Sequence, residues 1–599
     1  LARPGLPHRP NGADRMLSRD RRTIAYFSME LMLSDEMPTY SGGLGALAGD
    51  TLLAAADLGV PVVAVSLLHR SGYFRQRLDE RGGQSEETAE WRPEELLERQ
   101  PERVTVQIEG RAVAVSALEY LVRGRAGGAV PVYLLDTDLP HNTAWDRTLT
   151  HELYGGDARY RLAQEAVLGI GGVRMLRALG FDGIERFHLN EGHSALLALE
   201  LLAERSAGRE RVCLHDVEAV WRQCVFTTHT PVPAGHDRFP REMATEVLGH
   251  SKRLAGANDL EITDLGRLPL RGPGDLTIPG LSPGDAPLNM TQLALNLSHY
   301  VNGVAKRHGE VASALFGGQA VDAITNGVHW RWMSAPVQRL LDAYLPDWRR
   351  DNFSLRGALN IPCDELREAH EENKRALLDE VRRRSGRELP TSAFTVGFAR
   401  RMTPYKRPHL VFHDLARLRL VASRCGPLQL VFAGKAHPRD EAGKRLIARV
   451  IEAKELLRGE VEVVYLEEYD ARLARLMTAG VDLWLNTPAP PNEASGTSGM
   501  KAALNGVPSL SVLDGWWLEG HIGGMTGWAI GSRSDTVEAD LDARHADSIY
   551  DRLETEILPL YYREPDRYSD VMRHGLAVNG SFFNAQRMLQ QYVLKAYFD

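Results

Sequence analysis

The sequence predicts an α/β protein whose parallel sheets are covered by helices on both sides. Three observations carry that expectation. Short β-branched or aromatic runs recur along the chain. Several are apolar on both faces, as parallel strands covered by helices on each side are. Amphipathic segments separate them, the alternation that builds βα units. In chain order, strands are read at 23–28, 60–67, 130–135, 186–189, 219–227, 393–399, 428–433, 461–466, 481–485 and 509–513. Helices are read at 51–58, 364–385, 440–456 and 470–479, and an amphipathic terminal helix at 581–598 places Phe582, Met588, Leu589, Tyr592 and Val593 on one side. The charged helix and Arg387-Glu-Leu-Pro-Thr391 precede the strand at 393–399, so a second sheet starts there. The Gly- and Pro-rich stretch 263–289 has weak periodicity and reads as a long surface loop.

At 599 residues the chain exceeds what one hydrophobic core organises, so two large domains are expected. Lys plus Arg number 71 and Asp plus Glu 79, a net charge of −8, which argues against a dedicated nucleic-acid binder. Four cysteines without CxxC spacing exclude a disulfide framework and a zinc ribbon. The most apolar stretch, 52–68, is broken by Asp57, Gly59 and Pro61, so it reads as a helix followed by a strand and not as a bilayer span. Residues 1–20 are Arg- and Pro-rich with no apolar signal core and read as a flexible lead-in, with Leu1 suggesting a processed terminus. These readings point to a cytoplasmic enzyme.

Four segments carry chemistry. Ser41-Gly-Gly-Leu-Gly-Ala-Leu-Ala-Gly-Asp50 enters a helix, and paired glycines there let backbone amides approach an anion or sugar, or simply make a tight turn. After the strand at 393–399 come Arg400, Arg401, Lys406 and Arg407. Four cations at one strand end repel unless an anion or carboxylates neutralise them, and a phosphate dianion suits the guanidinium fork and the lysine charge. In Asn492-Glu-Ala-Ser-Gly-Thr-Ser-Gly-Met-Lys-Ala-Ala-Leu-Asn505, small residues either cradle a phosphate at a helix start or make an ordinary cap, and Lys501 is placed to be a phosphate ligand or a Schiff-base lysine. Thr227-Thr-His-Thr-Pro231 and Asn190-Glu-Gly-His193 put polar groups at strand ends of the first half. His188, His193 and Glu191 match no strong zinc spacing, so no metal is expected.

Together these segments resemble the α-glucan phosphorylases, the glycogen, starch and maltodextrin phosphorylase family, in their short bacterial type. The resemblance runs from about Ile24 to the end of the chain. It rests on Tyr26-Phe-Ser-Met-Glu30, Ser41-Gly-Gly-Leu-Gly45, His188-Leu-Asn-Glu-Gly-His193, Thr227-Thr-His-Thr230 and Thr325-Asn-Gly-Val-His-Trp330. It continues through Arg401 to Lys406, Ala433-Gly-Lys-Ala436 and Glu493-Ala-Ser-Gly-Thr-Ser-Gly-Met-Lys501, which looks like the family's pyridoxal-phosphate signature.

The resemblance implies a GT-B fold. Two Rossmann-like domains, 21–325 and 326–570, would face each other across a catalytic cleft, with a helix in 571–599 crossing back to the first. It implies reversible, retaining phosphorolysis of α-1,4-glucans (glycogen or maltodextrin) by inorganic phosphate, releasing α-D-glucose 1-phosphate from the non-reducing end. Lys501 would hold pyridoxal 5'-phosphate as a Schiff base. Gly496, Thr497 and Ser498 would bind the cofactor's phosphate, with Tyr469 beside it. Arg401, Lys406 and the backbone of Gly43 would grip the substrate phosphate, and His229 would face the reacting glucose. Asn326, Glu493, Tyr405 and Gly42 would line the sugar site. A homodimer is implied as well. Ser498-Gly499 departs from the Gly-Asn of the animal enzymes, and the segment ahead of Ile24 is short for their regulatory region. Two other functions fit parts of the pattern: a nucleotide-sugar α-glucan glycosyltransferase such as a glycogen synthase, which needs no cofactor on Lys501, and an inactive glucan-binding protein.

Overall fold

A computed structural model of the chain describes residues 23–232, 235–255, 260–277, 281–535 and 538–598. The expected lead-in at 1–20 lies outside them. Two sheets organise the rest. The strands that form the first are β1 (Ile24–Ser28), β2 (Val62–Leu67), β3 (Arg111–Arg123), β4 (Ala129–Asp136), β5 (Arg186–Asn190), β6 (Cys224–Thr227), β7 (Tyr300–Gly303) and β8 (Asp322–Ala323). They lie in the order β8-β7-β6-β5-β1-β2-β4-β3, extended by Glu98–Arg99 and Val104–Ile108, which pair with β3. All are parallel up to β4, and β3 runs antiparallel at the edge. Every residue of β1, β2 and β6 is buried, which is why these runs carry no polar alternation.

The second sheet contains β9 (Phe394–Ala399), β10 (Leu428–Ala433), β11 (Glu462–Leu466), β12 (Leu483–Asn486), β13 (Ser509–Val512) and β14 (Gly527–Ile530), ordered β11-β10-β9-β12-β13-β14 and wholly parallel. Both sheets reverse strand order beside their first strand, between β1 and β5 and between β9 and β12. In open parallel sheets that reversal opens a crevice at the strands' carboxyl ends where ligands bind.

Several elements depart from the sequence reading. The run 219–227 is not one strand: Leu214–Gln223 is helical, burying Asp216, Val217 and Val220 at helical spacing, and only Cys224–Thr227 joins the sheet. The helix read at 51–58 is α1, Gly43–Leu58, and it begins eight residues earlier. A Cβ on Gly49 would lie 2.1 Å from the Met32 carbonyl oxygen, so glycine there lets α1 press against the chain leaving β1. The stretch read as a surface loop at 263–289 buries Leu265, Leu268, Leu270, Leu276 and Leu288 through short 3₁₀ turns, and of this stretch residues 278–280 lie outside the description.

The long helix α2 spans Cys363–Ser385, and α3, Thr497–Ala503, carries Lys501. The terminal helix α4, Ala585–Tyr592, continues as a wider turn through Tyr597. It packs on the first sheet's helix layer: Ala585, Met588, Leu589, Tyr592 and Tyr597 share a buried cluster with Ile24, Tyr26, Leu47 and Leu52. The Tyr597 hydroxyl lies 2.7 Å from His188 Nδ1 on β5, and the Tyr592 hydroxyl accepts from Asn302 Nδ2 at 3.1 Å. Phe582 departs from the expected apolar side and is exposed. Among the described residues, no helix is long and apolar enough to cross a membrane.

Candidate active site

A cavity of about 790 Å³ opens where the two sheets' strand-end crevices meet. Glu30 and Glu191 enter it from the ends of β1 and β5, and Arg400, Arg401 and Glu493 from those of β9 and β12. The residues to which the resemblance assigns roles line it: Gly42, Gly43, His229, Asn326, Arg401, Tyr405, Lys406, Tyr469, Glu493, Gly496, Thr497, Ser498 and Lys501, whereas Arg407 and His188 do not.

The four strand-end cations separate into two kinds. Arg400 lies on Glu493, with Nη2 3.0 Å from Oε1, and Lys406 Nζ lies 2.8 Å from both Glu493 oxygens. Arg407 turns away to the carbonyls of Thr487 and Pro488 and to Asp542. Arg401 has no carboxylate partner among the described residues; its Nη2 donates to the Ser41 hydroxyl at 3.3 Å. Burial alone would raise the Glu493 carboxyl, but the Arg400 and Lys406 charges outweigh it and hold the group down to about 2. Glu493 and Lys406, expected on sugar and phosphate respectively, are therefore bound to each other, and Arg401 is the cation of this set left for an anion.

Beside Arg401 stands the start of α1. Glu30 accepts the amides of Ser41 (2.5 Å) and Gly42 (3.3 Å) and the hydroxyl of Tyr154 (2.9 Å), so the Gly42 amide is committed to the turn. The helix has no side-chain cap. A Cβ on Gly43 would meet no atom within 4 Å, so the open space there belongs to the cavity. An uncapped helix start facing a guanidinium that has no carboxylate among the described residues is the make-up that favours an anion.

Across the cavity, Gly496 takes a left-handed conformation (φ 88°) and starts α3, whose first turn also lacks a side-chain cap. A Cβ on Gly499 would lie 2.9 Å from Trp516, so the loop lies flat on that indole. The Ser495 hydroxyl is buried without a hydrogen-bond partner among the described residues. Lys501 Nζ sits 3.5 Å from the centre of the Trp332 ring and has no ion-pair partner among the described residues. Burial lowers its pKa to about 8, with Asp50 pulling the other way. A desolvated lysine easily made neutral, behind a cradle of small residues, fits a cofactor that carries an aldehyde and a phosphate.

Polar groups for a sugar line the remaining wall. Asn326 Oδ1 is buried without a donor among the described residues. His229 donates its backbone amide to Glu191 (2.7 Å), and its Nε2 lies 2.7 Å from Asn190 Oδ1, which accepts. Burial and the nearby imidazoles of His308, His188 and His193 push the His229 pKa down to about 3, so the ring is neutral and, with Nε2 donating to Asn190, its Nδ1 is the acceptor. Burial raises the Glu191 carboxyl to about 7 even though it accepts from His229, Gly192 and Thr230.

The sequence reading assigned no role to Arg161 or Lys435. Arg161 pairs with Glu165 and Asp237 but leaves its buried Nη1 without a partner. Lys435 Nζ is held by the Phe74 carbonyl and Glu468. Lys435 lies two residues beyond the end of β10, a position the strand-end rule would have singled out.

Two doubly wound sheets converge on one cavity, with the uncapped start of α1 beside Arg401 on one wall and a loop of small residues with a desolvated lysine on the other, which makes this an α/β protein with its ligand cavity at the strands' carboxyl ends. The Carbohydrate phosphorylase family model matches residues 178–556, and the chain belongs to that family. It is 40% identical to a maltodextrin phosphorylase of Thermococcus litoralis, over 96% of this chain and 70% of that one. It is 35% identical to a glycogen phosphorylase of Aquifex aeolicus, over 96% and 86%, and 36% identical to one of Mycobacterium bovis, over 95% and 70%.

Proposed function

We propose that the protein is an α-1,4-glucan phosphorylase of GT-B architecture. It would use inorganic phosphate to release α-D-glucose 1-phosphate, reversibly and with retention, from the non-reducing ends of glycogen or maltodextrin. The observation that carries this reading is the unpaired Arg401 guanidinium at the uncapped start of α1, across one cavity from the unpaired amine of Lys501. A homodimer in the cytoplasm is part of the same proposal.

Arg401 and the first-turn amides of α1 would bind inorganic phosphate and orient it toward the sugar. Asn326 Oδ1 would accept a sugar hydroxyl, satisfying its buried lone pairs, and neutral His229 would accept another at Nδ1. Lys501 would anchor the aldehyde of pyridoxal 5'-phosphate, while Ser495, Gly496 and the amides of Thr497 and Ser498 would hold its phosphate and Tyr469 would lie beside it. When bound, that cofactor would supply a second phosphate able to exchange a proton with the substrate's.

The substrate phosphate gives its proton to the glycosidic oxygen, the bond from that oxygen to the anomeric carbon breaks, and a phosphate oxygen closes on that carbon from the same face. Such proton transfer is worth roughly 10²–10⁴-fold, and no pair of protein carboxylates is needed. Glu493 would keep Arg400 and Lys406 in place at the floor, so their positive field reaches the phosphates without either cation being displaced. The test is incubation of pure protein with maltoheptaose and inorganic phosphate. Glucose 1-phosphate and a shortened glucan are expected. No glucose 1-phosphate, with glucan extension from UDP-glucose instead, would replace this reading with a glycosyltransferase.

A further inference from the structure

A second cavity, about 900 Å³, lies outside the catalytic one and is built from both halves of the chain. Its floor is apolar: Leu359, Leu518, Ile522, Phe582 and Phe583, with Leu359, Ile522 and Phe582 exposed. Its rim carries Lys306, Arg307, Arg356 and Arg533 against two carboxylates, Glu310 and Glu519. Arg307 pairs with Glu310 at 2.8 Å, and Glu519 takes the Lys306 backbone amide at 3.0 Å. Arg356 and Arg533 have no carboxylate partner among the described residues; Arg356 lies 3.7 Å from the centre of the Phe353 ring. Asn579 forms part of the wall, and its buried Nδ2 has no acceptor among the described residues.

We propose that this cavity is a second ligand site, for a small amphipathic anion: an apolar or aromatic body on the floor and a negative group between Arg356 and Arg533. The volume suits one drug-sized molecule, and a buried amide donor and an apolar floor beside two guanidinium groups without carboxylates among the described residues, Arg533 donating only to the Leu518 carbonyl at 3.4 Å, suit an amphipathic anion. The wall is one layer behind the catalytic cavity. Phe583 packs edge-on against Trp516, with ring centres 4.9 Å apart, and Trp516 is the surface under Gly496 and Gly499. Glu519 holds the Thr325 hydroxyl at 2.9 Å, next to Asn326. An occupant touching Phe583 and Glu519 therefore bears on both the cradle and the sugar wall.

The probe is 8-anilinonaphthalene-1-sulfonate, an aryl body with a permanent negative charge, titrated into the full chain. One saturable site is expected, weakened at least tenfold by Arg356→Glu with Arg533→Glu and not displaced by maltoheptaose with inorganic phosphate. Both substituted side chains are exposed, and an unchanged thermal midpoint verifies the fold. Displacement by adenosine monophosphate or by decanoate supports the site and separates a planar body from an aliphatic one. Occupancy should also raise hydrogen-exchange protection of amides 495–499 in the unsubstituted protein. Equal affinity in the double variant, displacement by maltoheptaose, or fluorescence that tracks self-association of the chain would overturn the site. Unchanged exchange at 495–499 at saturation would overturn its link to the catalytic cavity. None of these readouts depends on phosphorolysis.

Discussion

Replacing Arg401 or Arg400 by alanine should produce opposite phenotypes, although the two arginines are adjacent. Among the described residues Arg401 makes one long hydrogen bond, 3.3 Å to the Ser41 hydroxyl, and no ion pair, so its loss should cost the fold about 1 kcal/mol or less. If it holds the transferring phosphate, its loss removes a charged donor aimed at the reacting group. That is worth roughly 3–4 kcal/mol, a drop of about 10²–10³ in kcat/KM. Arg400 is the reverse case. Its buried guanidinium neutralises the buried Glu493, and removing it leaves that carboxylate to Lys406 alone. Breaking a buried pair costs about 3–5 kcal/mol, and the remaining lysine puts the expected loss at the lower end. The assay pairs glucose 1-phosphate release from maltoheptaose with a thermal melt. Arg401→Ala should keep its midpoint and lose turnover, whereas Arg400→Ala should melt several degrees lower. Near-normal phosphorolysis by Arg401→Ala, or equal melting losses in both variants, refutes the reasoning.

Two further outcomes are open to direct measurement. Borohydride reduction of the protein purified with pyridoxal phosphate should leave a pyridoxyl mass on the peptide carrying Lys501, and Lys501→Arg should keep the fold and carry none, since a guanidinium does not bond an aldehyde this way; reduced peptide without that mass removes the cofactor assignment. Glu191, raised from an ordinary 4.5 to about 7, holds in the native state a proton that the unfolded chain releases, so stability falls as pH rises from about 4.5 to 7 and then levels off. Glu191→Gln abolishes that slope, so its urea midpoint should gain on wild type by the equivalent of about 3 kcal/mol between pH 4.5 and pH 8; a difference independent of pH would show that the carboxyl is ionised throughout.

The βα alternation was legible because β9, β10 and β12, buried at every position, carry apolar residues on both faces, a pattern a surface strand does not carry. What escaped was set by distant packing. The helix Leu214–Gln223 was read as part of a strand because Ala219, Val220 and Trp221 form a short apolar run that suits either element, and only the burial of Val217 and Val220 against the first core decides it. The leucines of 263–289 are buried by neighbours from elsewhere in the fold, which a stretch rich in Gly and Pro does not announce locally. In the site, the glycine turn, the strand-end cations and the small-residue loop could each be placed from their own spacing. Which cations were free could not, because Glu493 lies 93 residues from Arg400 and 87 from Lys406 along the chain.

One part of that division was nevertheless written in the sequence. Successive side chains on extended backbone point to opposite sides, so two adjacent arginines leaving a strand cannot both serve the same partner. Arg400 goes to its own sheet, reaching Asn486 at the end of β12 and Glu493 beyond it, and Arg401 goes the other way, to Ser41 ahead of α1 in the first half. The switch point of the second sheet lies between β9 and β12, so the inward arginine closes that crevice with a carboxylate of its own side. The outward arginine is the group that meets the other half. An anion held there touches both halves of the chain at once, Arg401 from one and the amides of α1 from the other. Its binding is therefore tied to the distance between them, whereas the ion pair under Glu493 is indifferent to it.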